Sequence, residues 1–115
     1  MSPPLEELLE GVVARPGVVG AVVATLDGLV MGSLAMVDED ADAVGAVASL
    51  LARSLRSSGE SSGMLAVSGG RVCVAAGEML VVAALVEDEV DGQEITAMLE
   101  PLVVEMEGWV RPPEG

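Results

Sequence analysis

The stretch TLDGLVMGS, residues 25–33, sets an Asp-Gly pair between two apolar runs. A carboxylate so placed has four uses open to it: catalysis, metal ligation, a charge inside a membrane, or a turn. The other groups with chemical potential are Cys73 within RVCVAA, the serines of GESSG (59–63), the acids of DEDAD (38–42), and Arg53 with Arg56. What they can do is bounded by what is missing, because the chain has no histidine, lysine, tyrosine or phenylalanine. That removes the Ser-His-Asp triad, an imidazole base, the ordinary histidine-bearing zinc site, a Schiff base and a phosphate-loop lysine. Catalysis would fall to carboxylates, serine, arginine and one cysteine, so neither an enzyme nor a cofactor is expected.

Each motif has a plainer reading. GESSG matches G-x-S-x-G, but that elbow needs a strand before it and a helix after it. Here a helical pattern precedes and a strand pattern follows, which makes the segment a loop. DEDAD resembles the first half of a calcium loop, yet the required glycine falls on Ala43 and the bidentate glutamate on Ser49. No metal site is expected, and acids at a helix start cap it and favour its dipole. Cys73 reads as a small buried hydrophobe, since a reactive thiol needs exposure and nearby positive charge. Asp27 reads as a turn residue whose carboxylate bonds nearby amides, with Gly28 supplying positive φ.

The 19 acidic residues against five arginines leave a net charge of −14 over 115 residues. Such a charge repels phosphate backbones and anionic bilayers, and one tryptophan cannot build a stacking platform. Neither nucleic acid nor a membrane is an expected partner; a basic protein surface would be attracted. The acidic run EDEVDGQE (87–94) reads as a solvated connection, or as a device for steering such a partner. A single cysteine and an acidic start without a signal-peptide pattern point to the cytoplasm. Residues 16–37 carry one charge and mimic a membrane span. Asp27 near its centre would cost roughly 3 kcal/mol, and no basic anchor follows closely.

The length suits one domain, residues 1–115. Leu5, Leu8, Leu9, Val12 and Val13 make one helical stripe, with Ser2 as cap, Pro3 in the first turn, and Pro16 and Gly17 as the stop. Two β-branched runs around Leu26, Asp27 and Gly28 predict a hairpin. A second helix spans about Asp40 to Ser57. Val44, Ala48, Leu51 and Leu55 share one face of it, and Ala43, Val47 and Leu50 an adjoining one. That arc is wider than one packing surface needs, and Gly45, Ala46 and Ala52 would admit a close neighbour. One face on a sheet and one on a partner's helix would use it all, which predicts a dimer. Asp42, Ser49, Arg53 and Arg56 fill the remaining side. MLAVS, RVCVAA and MLVVAALV, separated by GG and GE, predict three sequential antiparallel strands. Asp91 and Glu94 have capping-box spacing before a last helix in which Pro101 predicts a kink or break. The order is αββαβββα.

That order, with LEELLEGVVARPGVVGAVVATLDGLVMGS, resembles the Roadblock family of dynein light chain regulators. The resemblance covers nearly the whole chain; it is most specific in the Leu-rich first helix, in PGVVGAVV (16–23) and in the DGL turn (27–29). The alanine-rich ADAVGAVASLLARSL also resembles the family's second helix. The resemblance implies an α+β fold, with a five-stranded antiparallel sheet carrying the middle helix on one face and the terminal helices on the other. It also implies homodimers in which third strands pair and second helices pack, which nominates Ala43, Val47, Leu50, Leu65 and Val67 as the dimer interface. Family members bind Ras-like small GTPases or motor complexes. The bacterial gliding-motility (MglB-like) regulators raise a partner GTPase's hydrolysis rate without inserting a catalytic residue. No residue pattern of the family separates activation from binding.

The expectation is therefore a homodimeric, non-catalytic regulator or scaffold for a Ras-like GTPase, with Asp42, Ser49, Arg53 and Arg56 as partner-binding candidates. The alternative is a structural adaptor dimer indifferent to nucleotide state. A small-molecule sensor would need a pocket of which the Val- and Ala-rich core gives no hint.

Overall fold

The computed structural model describes residues 5–110. The proposed cap Ser2 and Pro3 lie outside the described residues. The order is α1 (Leu5–Val13), β1 (Val18–Thr25), β2 (Val30–Leu34), α2 (Asp38–Ser57), β3 (Ser62–Val67), β4 (Gly70–Ala76), β5 (Leu80–Val86) and α3 (Gly92–Val110). The strands form one antiparallel sheet in the order β2-β1-β5-β4-β3. The apparent membrane span is thus a hairpin, and no helix among the described residues is long and apolar enough to cross a membrane.

Strand alternation divides the core in two. Ala21, Val23, Cys73, Ala75, Val82 and Ala84 face α1 and α3, joining Leu9, Val12, Ile95, Leu99, Val103 and Met106. Their neighbours Val22, Ala24, Val72, Val74, Val81 and Ala83 face α2, joining Ala41, Val44, Ala48, Ala52 and Leu55. With both faces covered, β4 and β5 are buried along nearly their whole length and β1 from Gly20 to Ala24, which is why they read as continuous apolar runs and not as alternating ones. The sheet ends in two edge strands, β2 and β3.

Several local details depart from expectation. In the hairpin turn Gly28 has φ +97°, but the side-chain hydrogen bond comes from elsewhere: Leu29 N donates to Thr25 Oγ1 at 3.1 Å, while Asp27 is exposed. A hydroxyl at the strand end reaches back across the turn more directly than the carboxylate at its tip. Helix α2 starts two residues before the predicted Asp40, after Val37, and has no side-chain cap. Asp38, Glu39 and Asp40 occupy its first turn, where they favour the dipole without capping it.

Helix α3 runs through Pro101 without a break. Pro101 and Ala97, whose carbonyl loses its helical donor, both lie on the solvent side, so water can take that carbonyl. The predicted capping box does not form, and a simple N-cap bond takes its place. Asp91 Oδ1 accepts from Gln93 N at 3.0 Å, whereas Glu94 turns away to pair with Arg15.

Sequence reasoning did not single out Glu107. It is buried on α3, and its Oε2 accepts from Met79 N at 2.6 Å and Leu80 N at 2.9 Å. One carboxylate thereby holds the β4–β5 turn against the helix.

Candidate functional site

Helix α2 has three sectors. Ala41, Val44, Gly45, Ala48, Ser49, Ala52 and Leu55 are buried against the sheet. Gly45 sits there because β2 runs close: a Cβ would meet Val30 Cγ2 at 2.9 Å. Gly45 and Ala52, expected to admit a neighbouring helix from another molecule, instead admit the chain's own strands. Of that small-residue set only Ala46 is exposed.

The sector toward β3 holds the proposed dimer residues. Ala43 and Leu50 are exposed and Val47 is half-buried; Leu50, a large apolar side chain, keeps 63% of its surface open. On β3, Leu65 is opposite Val72 and Val67 opposite Gly70. Val72 faces α2, so Leu65 and Val67 project to the α2 side. Ala43, Val47 and Val67 line an open groove of about 310 Å³ with Val44, Val72 and Leu85. Five residues from two elements thus come to one side of the sheet, beside the edge strand β3.

The opposite sector carries the charged candidates. Asp42 and Arg53 are exposed and share a flank, since positions 11 apart on an α-helix nearly superpose. Arg56 is exposed near the helix end, its Nη1 3.5 Å from the Glu78 carbonyl. Ser49 is a correction. It is buried at 1% exposure, and its Oγ donates to the Thr25 carbonyl at 3.0 Å. The helix phase turns it inward onto the end of β1, so it cannot touch a partner. It ties the hairpin turn to α2. Replacement by alanine is expected to cost about 1 kcal/mol of stability, the usual worth of such a bond, and to leave partner affinity unchanged; paired thermal melts and binding assays check both.

That tie brings a residue the sequence reading left out. Leu29 follows Gly28, whose missing Cβ would lie 3.8 Å from Ser49 Oγ, and Leu29 is 67% exposed. An apolar residue directly after Asp-Gly at a turn tip was the available signal. The polar flank of α2 and the turn together offer Asp42, Arg53 and Leu29 to solvent.

The acidic run 87–94 divides its labour. Arg71 Nη2 donates to the carbonyls of Asp88, at 2.9 Å, and Val90, anchoring the loop to β4. Glu87, Asp88 and Glu89 stay exposed. Cys73 is fully buried, its Sγ 3.6 Å from the Gly92 carbonyl. Burial raises its pKa, against smaller lowering by the Thr96 hydroxyl and Arg71. A raised pKa keeps the thiol protonated where a free thiol would ionise. Alkylation by iodoacetamide at pH 8 is therefore expected to be at least tenfold slower in the native protein than in denaturant, as mass spectrometry would record.

No curated protein matches the sequence. Among solved structures, a Roadblock/LC7 domain from Streptomyces avermitilis superposes with a TM-score of 0.83 at 24% identity, covering 96% of this chain and 100% of that one. Myxococcus xanthus MglB superposes with a TM-score of 0.73 at 8% identity, over 99% of this chain and 98% of that one. A further structure, described as MglB with tetrameric arrangement, gives 0.60 at 17% identity over 91% and 93%. These likenesses show the fold. The family model described as Roadblock/LC7 domain matches residues 4–84, from α1 into β5. By that match and by its strand order, the chain belongs to the Roadblock/LC7 family.

Proposed function

We propose that this protein is a homodimeric, non-catalytic regulator or scaffold that binds a Ras-like small GTPase, with stimulation of GTP hydrolysis as its further action. The observation that carries the reading is the surface of α2. In the single chain it exposes Leu50 and Ala43 toward the free edge strand β3, and Arg53, Arg56 and Asp42 elsewhere. The apolar side suits a second copy, in which β3 pairs with its counterpart and the two α2 helices pack. The charged flank, with Leu29 beside it, then remains open to a GTPase. In a chain of net charge −14, exposed arginines concentrated on one helix are the natural anchors for carboxylates of a partner. The likeness to the MglB structures supports the gliding-regulator type.

The test is capture from a lysate of the source organism, in the presence of a non-hydrolysable GTP analogue, on immobilised wild type and on Arg53→Glu/Arg56→Glu. A small GTPase retained by the wild type and reduced roughly tenfold or more on the variant is expected, the scale set by losing two charged contacts. Equal retention would remove the arginines from the interface. Recovery of no GTPase would favour the adaptor dimer.

A further inference from the structure

Helix α3 is apolar on the wrong side as well as the right one. Its inner face carries Ile95, Leu99, Val103 and Met106 in the core. On the outer face Ala97, Pro101, Val104 and Gly108 fall within about 60° of arc, and all four are exposed. Val104 keeps 67% of its surface, and Trp109, further round the helix, keeps 47%. A solvated helix ordinarily puts charges there. Alongside, an opening of about 270 Å³ lies between α3 and the start of β3, and one of about 180 Å³ between α3, Ser61 and the end of β4. The first includes Met64, Thr96 and Ala97, the second Ala75, Ala76 and Val104, and Glu100 borders both.

We propose that this outer face of α3, with the two sockets beside it, is a docking surface separate from the α2 side, and that its occupant is a basic amphipathic helix of a partner protein. The sockets have room for apolar side chains, and the small residues Ala97 and Gly108 let a helix backbone approach. The charged groups around the strip decide the partner's charge, since those beside it are carboxylates and a freed carbonyl adds a further acceptor; the neutral Gln93 can donate or accept. The Ala97 carbonyl lacks its helical donor because Pro101 has no N–H. Glu100 and Glu105 flank the strip, both exposed, and the ion pair found among the described residues, Arg15 with Glu94, involves neither. Lysine or arginine would satisfy all three acceptors. A second copy of this chain would bring only the same acceptors to this face, and an anionic lipid surface or nucleic acid would be repelled by its carboxylates.

Trp109 is the chain's only aromatic residue, so intrinsic emission reports on this helix alone. The experiment titrates the full chain with a synthetic 18-residue Leu/Lys amphipathic helix and with its Leu/Glu counterpart. It then repeats the titration on Val104→Glu and on Ala97→Glu, each checked for native circular dichroism. The Leu/Lys peptide is expected to bind one per chain and shift the emission to the blue, while the Leu/Glu peptide does not bind. Each variant is expected to weaken binding roughly tenfold, although it adds a negative charge that would strengthen mere electrostatic attraction. Unchanged or tighter binding by both variants would overturn the proposal, since net charge would then be holding the peptide. So would sedimentation showing that Val104→Glu abolishes a self-association of the wild type, which would give the face to a second copy.

Discussion

Replacing Leu50 by glutamate is expected to turn a dimer into a monomer. Leu50 stands on α2 with 63% of its surface open in the single chain, so the substitution costs the fold little. In the proposed dimer the same position is covered by the partner's helix, and a carboxylate there would be buried without a cation. Such a charge costs several kcal/mol, and about 3 kcal/mol is already a more than hundredfold weaker association. Leu65→Glu, on β3 and 43% exposed, should act alike from the neighbouring element. Leu29→Glu, on the other side of α2, should leave the mass unchanged. Sedimentation equilibrium over a concentration series separates the outcomes. Leu50→Glu and Leu65→Glu proteins that remain dimeric would remove this face from the interface.

The second large effect concerns the fold itself. Glu107→Ala is expected to lower stability by about 2–4 kcal/mol, because Met79 N and Leu80 N lose a charged acceptor in a buried place and a void opens where the carboxylate lay. For a chain of this size that corresponds to a melting temperature lower by roughly 10 °C or more. Glu107→Gln keeps an oxygen for the same two donors and should lose only about 1 kcal/mol. Glu105→Ala, two residues away and exposed, should be nearly neutral. Thermal melts of the three variants make the comparison. Equal melting of Glu107→Ala and Glu105→Ala would mean that the two hydrogen bonds contribute nothing.

Periodicity carried most of the architecture. The 3.6-residue stripes of α1 and α3, the Asp-Gly turn and the glycine breaks between β3, β4 and β5 are local signals, and the elements appear close to where those signals put them. The exception is β3, which begins at Ser62, inside the GESSG segment read as a loop, because Ser62 and Gly63 pair with Ala75 and Val74. The α2 arc was legible as too wide, but its phase was not. A wheel shows which residues share a face; it does not show which face the sheet takes. Ser49 illustrates the difference. Its type suggested solvent, while contact with the end of β1, 24 residues earlier, turned it inward. Glu107 was invisible for the same reason, since its partners lie 27 and 28 residues away across a turn, and no spacing rule links a helical glutamate to a distant hairpin. The break that Pro101 allowed does not occur, because the cost of proline in a helix depends on where the freed carbonyl points, which only the packed structure decides. The side to which the proposed dimer residues of β3 project follows from register alone: pairing Leu65 with Val72 puts Leu65 and Val67 on the α2 side of the sheet.

The central claim is that the α2 side serves a nucleotide-switched partner. The most direct measurement is the affinity of the purified protein for the captured GTPase, loaded in turn with a GTP analogue and with GDP, by isothermal titration calorimetry. The GTP-state complex is expected to be at least tenfold tighter, since a regulator must have a differential affinity of that order to read the switch. Equal affinity in the two states would contradict a regulator and leave an adaptor that holds the GTPase without responding to its nucleotide.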